Sequence, residues 1–221
     1  MDINEKLAAM NARIRREDVN YGVTALPIFL CLDASGSMEG QRIKSVNDGV
    51  IGFIRSGSAN EDAQDSLMLD IVVFNGDGVR EVQPLTNIKK VIFKPLSAAG
   101  GTPFGEALKV TLDLMERFLD RKQKSYKPYL VVMSDGAPTD SRKEVDRQIA
   151  RARRLQEEGQ IKVRCVGIGA DADQDTLRRI TIRGKVDCCG DLDITNFFEW
   201  LSSMAVEQSM RSLSDQDEDL F

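Results

Sequence analysis

Histidine is absent from this chain of 221 residues. Without histidine there can be no Ser-His-Asp or Cys-His nucleophile, no histidine general base and no histidine metal ligand. Most of the usual routes from a polar cleft to catalysis are therefore closed. Any metal ion that the protein binds must be held by oxygen or by cysteine sulfur.

Cysteine is also scarce, with four residues in the chain. Cys31 and Cys165 lie inside apolar runs, which predicts that they are small core residues. Cys188 and Cys189 are adjacent, too close for an ordinary disulfide, and no metal-type spacing surrounds them. This usage favours a reducing compartment, so we expect a cytoplasmic protein.

Long apolar runs are missing as well. The longest, Ala25–Leu32, is far shorter than the roughly 20 residues of a membrane span, and the first 20 residues are charged throughout, unlike a signal peptide. Neither sign of charge dominates, with 30 basic and 35 acidic side chains and a net charge of -5. We therefore expect neither a membrane nor a nucleic acid as partner.

Apolar runs and helical patterns alternate along most of the chain. A glycine-rich turn at 76–78 predicts that two strands pair antiparallel, because the connection is too short for a crossover. The predicted strands are Leu26–Asp33, Ser66–Phe74, Val79–Gln83, Pro128–Ser134, Ile161–Ile168 and Lys185–Cys189. Helical patterns fall at 40–55, 104–119, 145–152, 175–181 and 197–208. The order predicts an α/β fold, a three-layer doubly wound (Rossmann-like) and mostly parallel sheet with one antiparallel edge strand and helices on both faces.

The two ends of the chain differ from the middle. Ile3, Leu7, Met10 and Ile14 recur at helical spacing, so residues 1–22 are predicted to be an amphipathic helix and a linker. Residues 23–211 form the predicted domain. Residues 212–221 are acidic and lack periodicity, which favours a flexible tail.

Three short polar segments follow predicted strands or precede a predicted helix. Residues 33–37 read Asp-Ala-Ser-Gly-Ser, residues 100–102 read Gly-Gly-Thr and residues 134–136 read Ser-Asp-Gly. Pro103 suits the first position of a helix, with Thr102 as its cap. Doubly wound sheets bind ligands outside the carboxyl ends of their strands, so we expect the three segments to meet there if the first and fourth strands are neighbours.

Together these segments would offer two carboxylates and three hydroxyls. Hard cations prefer such oxygen ligands, and the low negative charge favours Mg²⁺, with Mn²⁺ and Ca²⁺ as alternatives. Each segment alone is common and usually marks a turn or a helix cap. It is their joint occurrence that predicts a metal site. The candidate ligands are Asp33, Ser35, Ser37, Thr102 and Asp135.

These five residues resemble the metal-ion-dependent adhesion site (MIDAS) of von Willebrand factor A domains, and the resemblance runs from about residue 26 to about residue 204. Segments 33–38, 84–86, 100–103 and 134–140 are also similar to bacterial tellurium-resistance-type (TerY-like) members. The resemblance implies that the hydroxyl oxygens touch the metal and that the aspartates act directly or through water. It also implies one open coordination position for an Asp or Glu of a partner protein.

The resemblance therefore implies a metal-dependent protein–protein interaction module that is not an enzyme. The TerY-like group is associated with cytosolic stress-response or phosphorylation modules. A kinase or a phosphatase of the same module is accordingly a candidate partner.

Three other functions fit parts of the sequence. The glycine spacing at 167–172 is that of a dinucleotide-binding loop, but it follows a late strand, and Asp171 and Asp173 would face the phosphates. A Mg²⁺-dependent phosphatase using Asp33 would need a second carboxylate where Ser35 stands, and a nearby lysine. A metal-independent scaffold could act through its helices, and the acidic tail could bind a basic surface.

Overall fold

A computed structural model describes residues 24–189 and 193–218 of the chain. The predicted N-terminal helix and the last three residues lie outside the described residues. Within the described part, no helix is both long and apolar enough to cross a membrane.

Six strands form one sheet in the order β3-β2-β1-β4-β5-β6. Neighbouring strands pair parallel, except that β2 and β3 are antiparallel. The strands are β1 Leu26–Asp33, β2 Leu67–Asn75, β3 Gly78–Asn87, β4 Tyr129–Ser134, β5 Lys162–Ile168 and β6 Asp187–Cys189. This arrangement confirms the predicted fold class, including the antiparallel edge strand and the adjacency of the first and fourth strands.

Helices cover both faces of the sheet. In the described residues these are α1 Gln41–Ala59, α2 Phe104–Leu119, α3 Arg142–Glu157, α4 Gln174–Ile180 and α5 Asp193–Glu218. Helices α1 and α5 close one hydrophobic core against the sheet, and α2, α3 and α4 close the other.

Strand β1 shows why a continuous apolar run is required in the centre. Every residue of this strand is buried. Leu30 and Leu32 belong to the core under α1 and α5, whereas Phe29 and Cys31 belong to the opposite core. Alternate side chains point to opposite faces, so a strand covered on both faces needs apolar residues at every position.

The two cysteines predicted to lie in the core are buried and free of disulfides. Burial raises the pKa of the Cys31 thiol to about 12. It also raises the pKa of Cys165. Both therefore behave as small apolar side chains rather than as nucleophiles.

The C-terminal helix is longer than its sequence pattern suggests. Helix α5 continues to Glu218 and so includes residues 212–218 of the predicted acidic tail. Extending an existing helix adds one hydrogen bond for each residue that is fixed, and this avoids the cost of nucleation. An apolar period is therefore not needed for the added turns.

Candidate metal centre

Asp33 ends β1 and lies beside Ser134 at the end of β4, because the strand register pairs Leu32 with Met133. The Ser134 hydroxyl donates to Oδ2 of Asp33 at 2.5 Å, and the Ser35 amide donates to Oδ1 at 2.8 Å. The Asp33 side chain has no exposure to solvent. Its carboxylate is thus fixed in one orientation at the carboxyl edge of the sheet.

A short 3₁₀ turn at Gly36–Met38 places two hydroxyls next to this carboxylate. The Oγ atoms of Ser35 and Ser37 are 3.2 Å apart. The Ser37 hydroxyl donates to Oδ1 of Asp135 at 2.7 Å. Ser35 and Asp135 are buried whereas Ser37 is exposed, so the cluster opens to solvent on the Ser37 side.

Thr102 joins the cluster from the loop before α2. A Cβ atom built on Gly136 would lie 3.4 Å from Oγ1 of Thr102 and 3.5 Å from Oγ of Ser37, so both hydroxyls lie beside Gly136. The predicted cap role of Thr102 is wrong. Helix α2 begins at Phe104 with Pro103 at its N-cap position.

Backbone bonds to Thr139 explain where Thr102 lies. The Thr102 amide donates to Oγ1 of Thr139 at 3.0 Å, and the Thr139 amide donates to the carbonyl of Thr102 at 2.9 Å. Thr102 is thereby held against the loop after β4. The N-cap position of α2 is taken by Pro103 instead.

The loops that carry these residues are bonded to one another through their backbones. The Gly36 amide donates to the carbonyl of Gly100 at 2.8 Å, the Ala99 amide to that of Ala34 at 2.9 Å, and the Gly76 amide to that of Ala99 at 2.9 Å. A Cβ on Gly76 would lie 2.6 Å from Cα of Gly100, and Gly100 has φ +65°. Only glycine allows this approach without displacing the backbone.

Arg42, in the first turn of α1, binds the cluster from one side. Its Nη1 donates to Oδ2 of Asp135 at 2.6 Å, and its Nη2 donates to Oδ1 of Asp171 at 2.5 Å. The Asp135 side chain is fully buried, whereas that of Asp171 is 70% exposed. The hydrogen bond to Asp135 raises the pKa of Arg42.

Sequence reasoning missed Arg42, although a signal was present. A basic side chain in the first turn of a helix is unfavourable next to the positive end of the helix dipole. Such a residue therefore suggests an acidic partner nearby. Ser134 ends a predicted strand and begins one of the three polar segments, but its bond to Asp33 depends on a strand register that the sequence does not reveal.

The glycine pattern at 167–172 also finds its explanation at this site. A Cβ on Gly169 would lie 2.7 Å from Nη2 of Arg42, and Gly169 has φ +86°. Gly167 packs against Ala172 and Leu177. Gly169 thus leaves room for a guanidinium, which accounts for the glycine spacing without a nucleotide.

The electrostatics of the cluster favour an added cation. Burial raises the pKa of Asp33, the hydrogen bonds from Ser134 and Ser35 oppose that rise, and the charge of Asp135 adds to it. A divalent cation beside both aspartates would offset the cost of burying their charges. The donor set consists of two carboxylates and three hydroxyls, which suits a hard cation. In the described part of the chain, no group of three acidic or cysteine side chains forms a rival site.

All five sequence-predicted residues therefore meet at one edge of the sheet. The family model of the von Willebrand factor type A domain matches residues 28–199 of the chain. The chain belongs to this family. Von Willebrand factor A domains are protein-interaction modules that bear a metal site.

This von Willebrand factor A domain matches only part of the length of the known proteins to which it is similar. The human (Homo sapiens) collagen alpha-5(VI) chain is 26% identical over 148 residues, which are 65% of this chain and 5% of the collagen chain. The pilus adhesin SpaC from Lactobacillus rhamnosus GG, in an open conformation, has a TM-score of 0.67 at 16% identity. That match covers 85% of this chain and 30% of the adhesin.

A third similar protein was solved with a metal. Proximal thread matrix protein 1 from the mussel byssus, with a zinc-occupied MIDAS motif, has a TM-score of 0.53 at 16% identity. The match covers 83% of this chain and 48% of that protein. At this level of identity the two solved structures show a shared fold and nothing finer.

Proposed function

We propose that this von Willebrand factor A domain binds Mg²⁺ at its candidate metal centre and uses the ion to bind an acidic side chain of a partner protein. Mn²⁺ and Ca²⁺ are the alternative ions. The observation that carries the proposal is that hydrogen bonds link Asp33, Ser35, Ser37 and Asp135 at the edge of the sheet where Thr102 also lies, beside Gly136. The proposed ligands are Asp33, Ser35, Ser37, Thr102 and Asp135.

The hydrogen bonds suggest which of the proposed ligands contact the metal ion directly. Both oxygens of Asp33 already accept hydrogen bonds, and so do both oxygens of Asp135. The hydroxyls of Ser35, Ser37 and Thr102 retain free lone pairs. We therefore assign the direct contacts to the hydroxyls, while the aspartates orient them and hold the ion through water or at their remaining lone pairs.

Charge favours an anionic partner. Asp33, Asp135 and Arg42 carry -1, -1 and +1, which sum to -1, and a divalent cation would change that sum to +1. Asp171, which also contacts Arg42, is largely exposed and its charge is screened by solvent. A centre with a net positive charge and an open side at Ser37 would bind a carboxylate from another protein.

A phosphatase that uses Asp33 as its nucleophile is supported less well. The Asp33 side chain is fully buried, and a nucleophile must reach the phosphorus atom of its substrate. The von Willebrand factor A family also favours binding over catalysis. We also propose that the domain acts in a bacterial, cytoplasmic complex linked to stress response or phosphorylation, with a kinase or phosphatase as partner. The support for this setting is the TerY-like resemblance alone.

Affinity capture with and without Mg²⁺ tests the proposal. Immobilised wild-type protein should retain an acidic partner from lysate in Mg²⁺, and chelator or Asp33→Ala should remove it. Asp48→Ala on α1 is the matched control, because Asp48 is exposed and lies outside the cluster. Identical captures in all four samples would overturn the proposal. Hydrolysis of a generic phosphate ester that depends on Asp33 would favour the phosphatase.

A further inference from the structure

Half of the outer edge of strand β5 is not covered by any strand of the described residues. On its inner side, β5 pairs with β4 from Lys162 to Gly167. On its outer side, β6 pairs only with Val166–Ile168. In the described residues, no strand pairs with the outer edge of 162–165, and the side chains of residues 162–164 are only half-buried. Such an edge presents backbone donors and acceptors to a further strand.

A groove of about 490 Å³ runs along this uncovered edge. Lys162, Val163 and Arg164 all line it, although alternate residues of a strand point to opposite faces of a sheet. Thr181 and Ile182 line it from the side of α4, and Trp200 of α5 lines it from the other side. The strand edge is thus the floor of the groove, and both helical layers form its walls. We call this feature the β5 groove.

The β5 groove is basic. Four cations line it, Lys162, Arg164, Arg183 and Lys185. Arg164 lies 3.6 Å from the carboxylate of Asp187. Among the described side chains, no carboxylate forms an ion pair with the other three. The groove therefore has an excess of positive charge, and an acidic ligand would be attracted to it.

Exposed apolar side chains accompany this charge. Ile182 is 45% exposed and Trp200 is 37% exposed. The guanidinium of Arg164 lies over the Trp200 ring, 4.3 Å from its centre. An aromatic ring beside cations at a sheet edge could bind both apolar and acidic side chains of one extended peptide.

We propose that the β5 groove binds an acidic, extended segment of a partner protein, which adds to the sheet as a strand alongside residues 162–165. Backbone hydrogen bonds would supply affinity. Acidic side chains of the segment would pair with Lys162, Arg183 and Lys185, and apolar ones would contact Ile182 and Trp200. This is the recognition mode of peptides that extend an exposed sheet edge.

The positive charge of the β5 groove also disfavours pairing of two copies of this chain through the same strand edge. Two such edges would bring eight cations together, and basic residues are known to protect edge strands against self-pairing. Protection alone would account for the charge. It does not account for the groove or for the exposed Ile182 and Trp200.

The β5 groove is separate from the metal centre. It follows the amino-terminal half of β5, whereas the metal centre lies at the carboxyl ends of β1 and β4. Binding in the groove should consequently be independent of metal. This separation makes the two proposals distinguishable by experiment.

A displayed library of random ten-residue peptides tests the proposal, with selection on the full chain in the presence of chelator. We expect enriched peptides with acidic residues at alternate positions. Binding should weaken roughly tenfold with Arg183→Glu/Lys185→Glu, because paired charges are removed from an exposed loop. Lys143→Glu/Arg147→Glu makes the same charge change on α3 and should leave binding unchanged. Bound peptide should slow hydrogen exchange of the amides at 162–165.

Methylation of alternate backbone amides of the best peptide gives the decisive comparison. Only one of the two alternating sets of peptide amides faces the strand edge, so each set is methylated in a separate peptide. Strand addition predicts a loss of roughly tenfold or more for one set and little change for the other, because only one set donates hydrogen bonds to the edge. Binding of both methylated peptides equal to that of the parent would overturn strand addition. Enriched peptides that lack acidic residues, or a failure to enrich any peptide, would overturn the proposal as a whole. Acidic peptides that are enriched only when the selection is repeated in Mg²⁺ would assign the binding to the metal centre and overturn the proposal.

Discussion

Arg42 is a cation that already neutralises part of the candidate metal centre. Its guanidinium lies 2.6 Å from Asp135, whose side chain is fully buried. A buried carboxylate without a partner would be costly. Arg42 therefore allows Asp135 to be buried without a metal ion, and it also competes with the ion for the same carboxylate.

Replacing Arg42 by glutamine should strengthen metal binding. Arg42→Gln removes the competing charge and keeps a neutral hydrogen-bond donor on a shorter side chain. We expect the Kd for Mn²⁺ to fall by about fivefold to tenfold, which corresponds to roughly 1 kcal/mol. Isothermal titration calorimetry measures this change. Arg42→Lys keeps the charge and should change the Kd little. Weaker metal binding in Arg42→Gln would mean that Arg42 positions Asp135 instead of competing for it.

At the scale of residues, the oxygen-bearing side chains of the candidate site could be predicted from the sequence, whereas the ion pair of Arg42 with Asp135 could not. Asp33, Ser35, Ser37, Thr102 and Asp135 could be chosen because each stands at a strand end or near a helix start. The pairing of Arg42 with Asp135 depends on how α1 packs beside the loop after β4. That packing is a tertiary contact, and no local pattern specifies it.

At the scale of elements, helices α1 and α5 pack so closely at Gly49 that a side chain there would overlap α5. A Cβ on this residue would lie 2.3 Å from Cδ2 of Phe198, which also contacts Phe53 at a ring separation of 6.1 Å. Gly49→Ala should therefore destabilise the protein by about 1–3 kcal/mol, as overpacked cores do. Urea unfolding followed by circular dichroism measures the free energy of unfolding.

Gly52 is the matched control in the same helix. A Cβ at Gly52 would meet no atom within 4 Å. Gly52→Ala should stabilise the protein by up to about 1 kcal/mol, because alanine has the higher helix propensity. Equal effects of the two substitutions would contradict the close packing of α1 on α5.

Helices α2 and α3 are joined by a cluster of charges that should depend on pH. Arg151 contacts Asp113 and Glu116, each at 2.7 Å. Burial alone would raise the pKa of Asp113, but the hydrogen bond and charge of Arg151 outweigh it and the pKa is lowered. A lowered pKa in the folded state stabilises the protein above the unfolded pKa of about 3.9. That stability is lost as the pH falls from there through the folded pKa.

Asp113→Asn should thus cost about 0.5 kcal/mol near pH 7, a modest value because the pair is partly exposed, and this cost should vanish as the pH falls below the lowered pKa of Asp113. Urea unfolding over this pH range provides the measurement. In an Arg151→Gln background the same substitution should have little effect. An undiminished cost in that background would assign the effect to another partner.

At the scale of elements, boundaries and ends were the weakest part of the sequence prediction. The cores of the strands and helices were found from apolar patterns. Strand β3 extends to Asn87, beyond the predicted Gln83, and α5 extends to Glu218. Such ends are fixed by hydrogen bonds to neighbours, which apolar periodicity does not encode.

At the scale of the whole molecule, a bound cation should raise the free energy of unfolding. An ion present at 100 times its Kd stabilises the folded state by about 2.7 kcal/mol. For a chain of this size we expect Mg²⁺ to raise the Tm by roughly 5–10 °C. Differential scanning calorimetry with Mg²⁺ or chelator measures the shift. Asp33→Asn should abolish it and Asp48→Asn should not; a shift retained in Asp33→Asn would remove Asp33 from the ligand set.

The overall architecture was predictable because alternating strands and helices have few compatible topologies. A run that is apolar at every position, as in β1, needs cover on both faces, and the short turn at 76–78 forces the antiparallel pair. The sequence does not show how far β6 covers β5. That extent depends on where the chain turns after α4, in a segment with little apolar pattern.

The backbone bonds among the loops at the carboxyl edge have a consequence for rates. Because Ala34, Gly36, Gly76 and Ala99 already link the loops, loading an ion requires no loop to fold. The slow event is then the loss of water from the ion itself, and Mg²⁺ gives up its water reluctantly. Ca²⁺ should enter faster than Mg²⁺, so the first ion to load after chelation need not be the one that occupies the site at equilibrium.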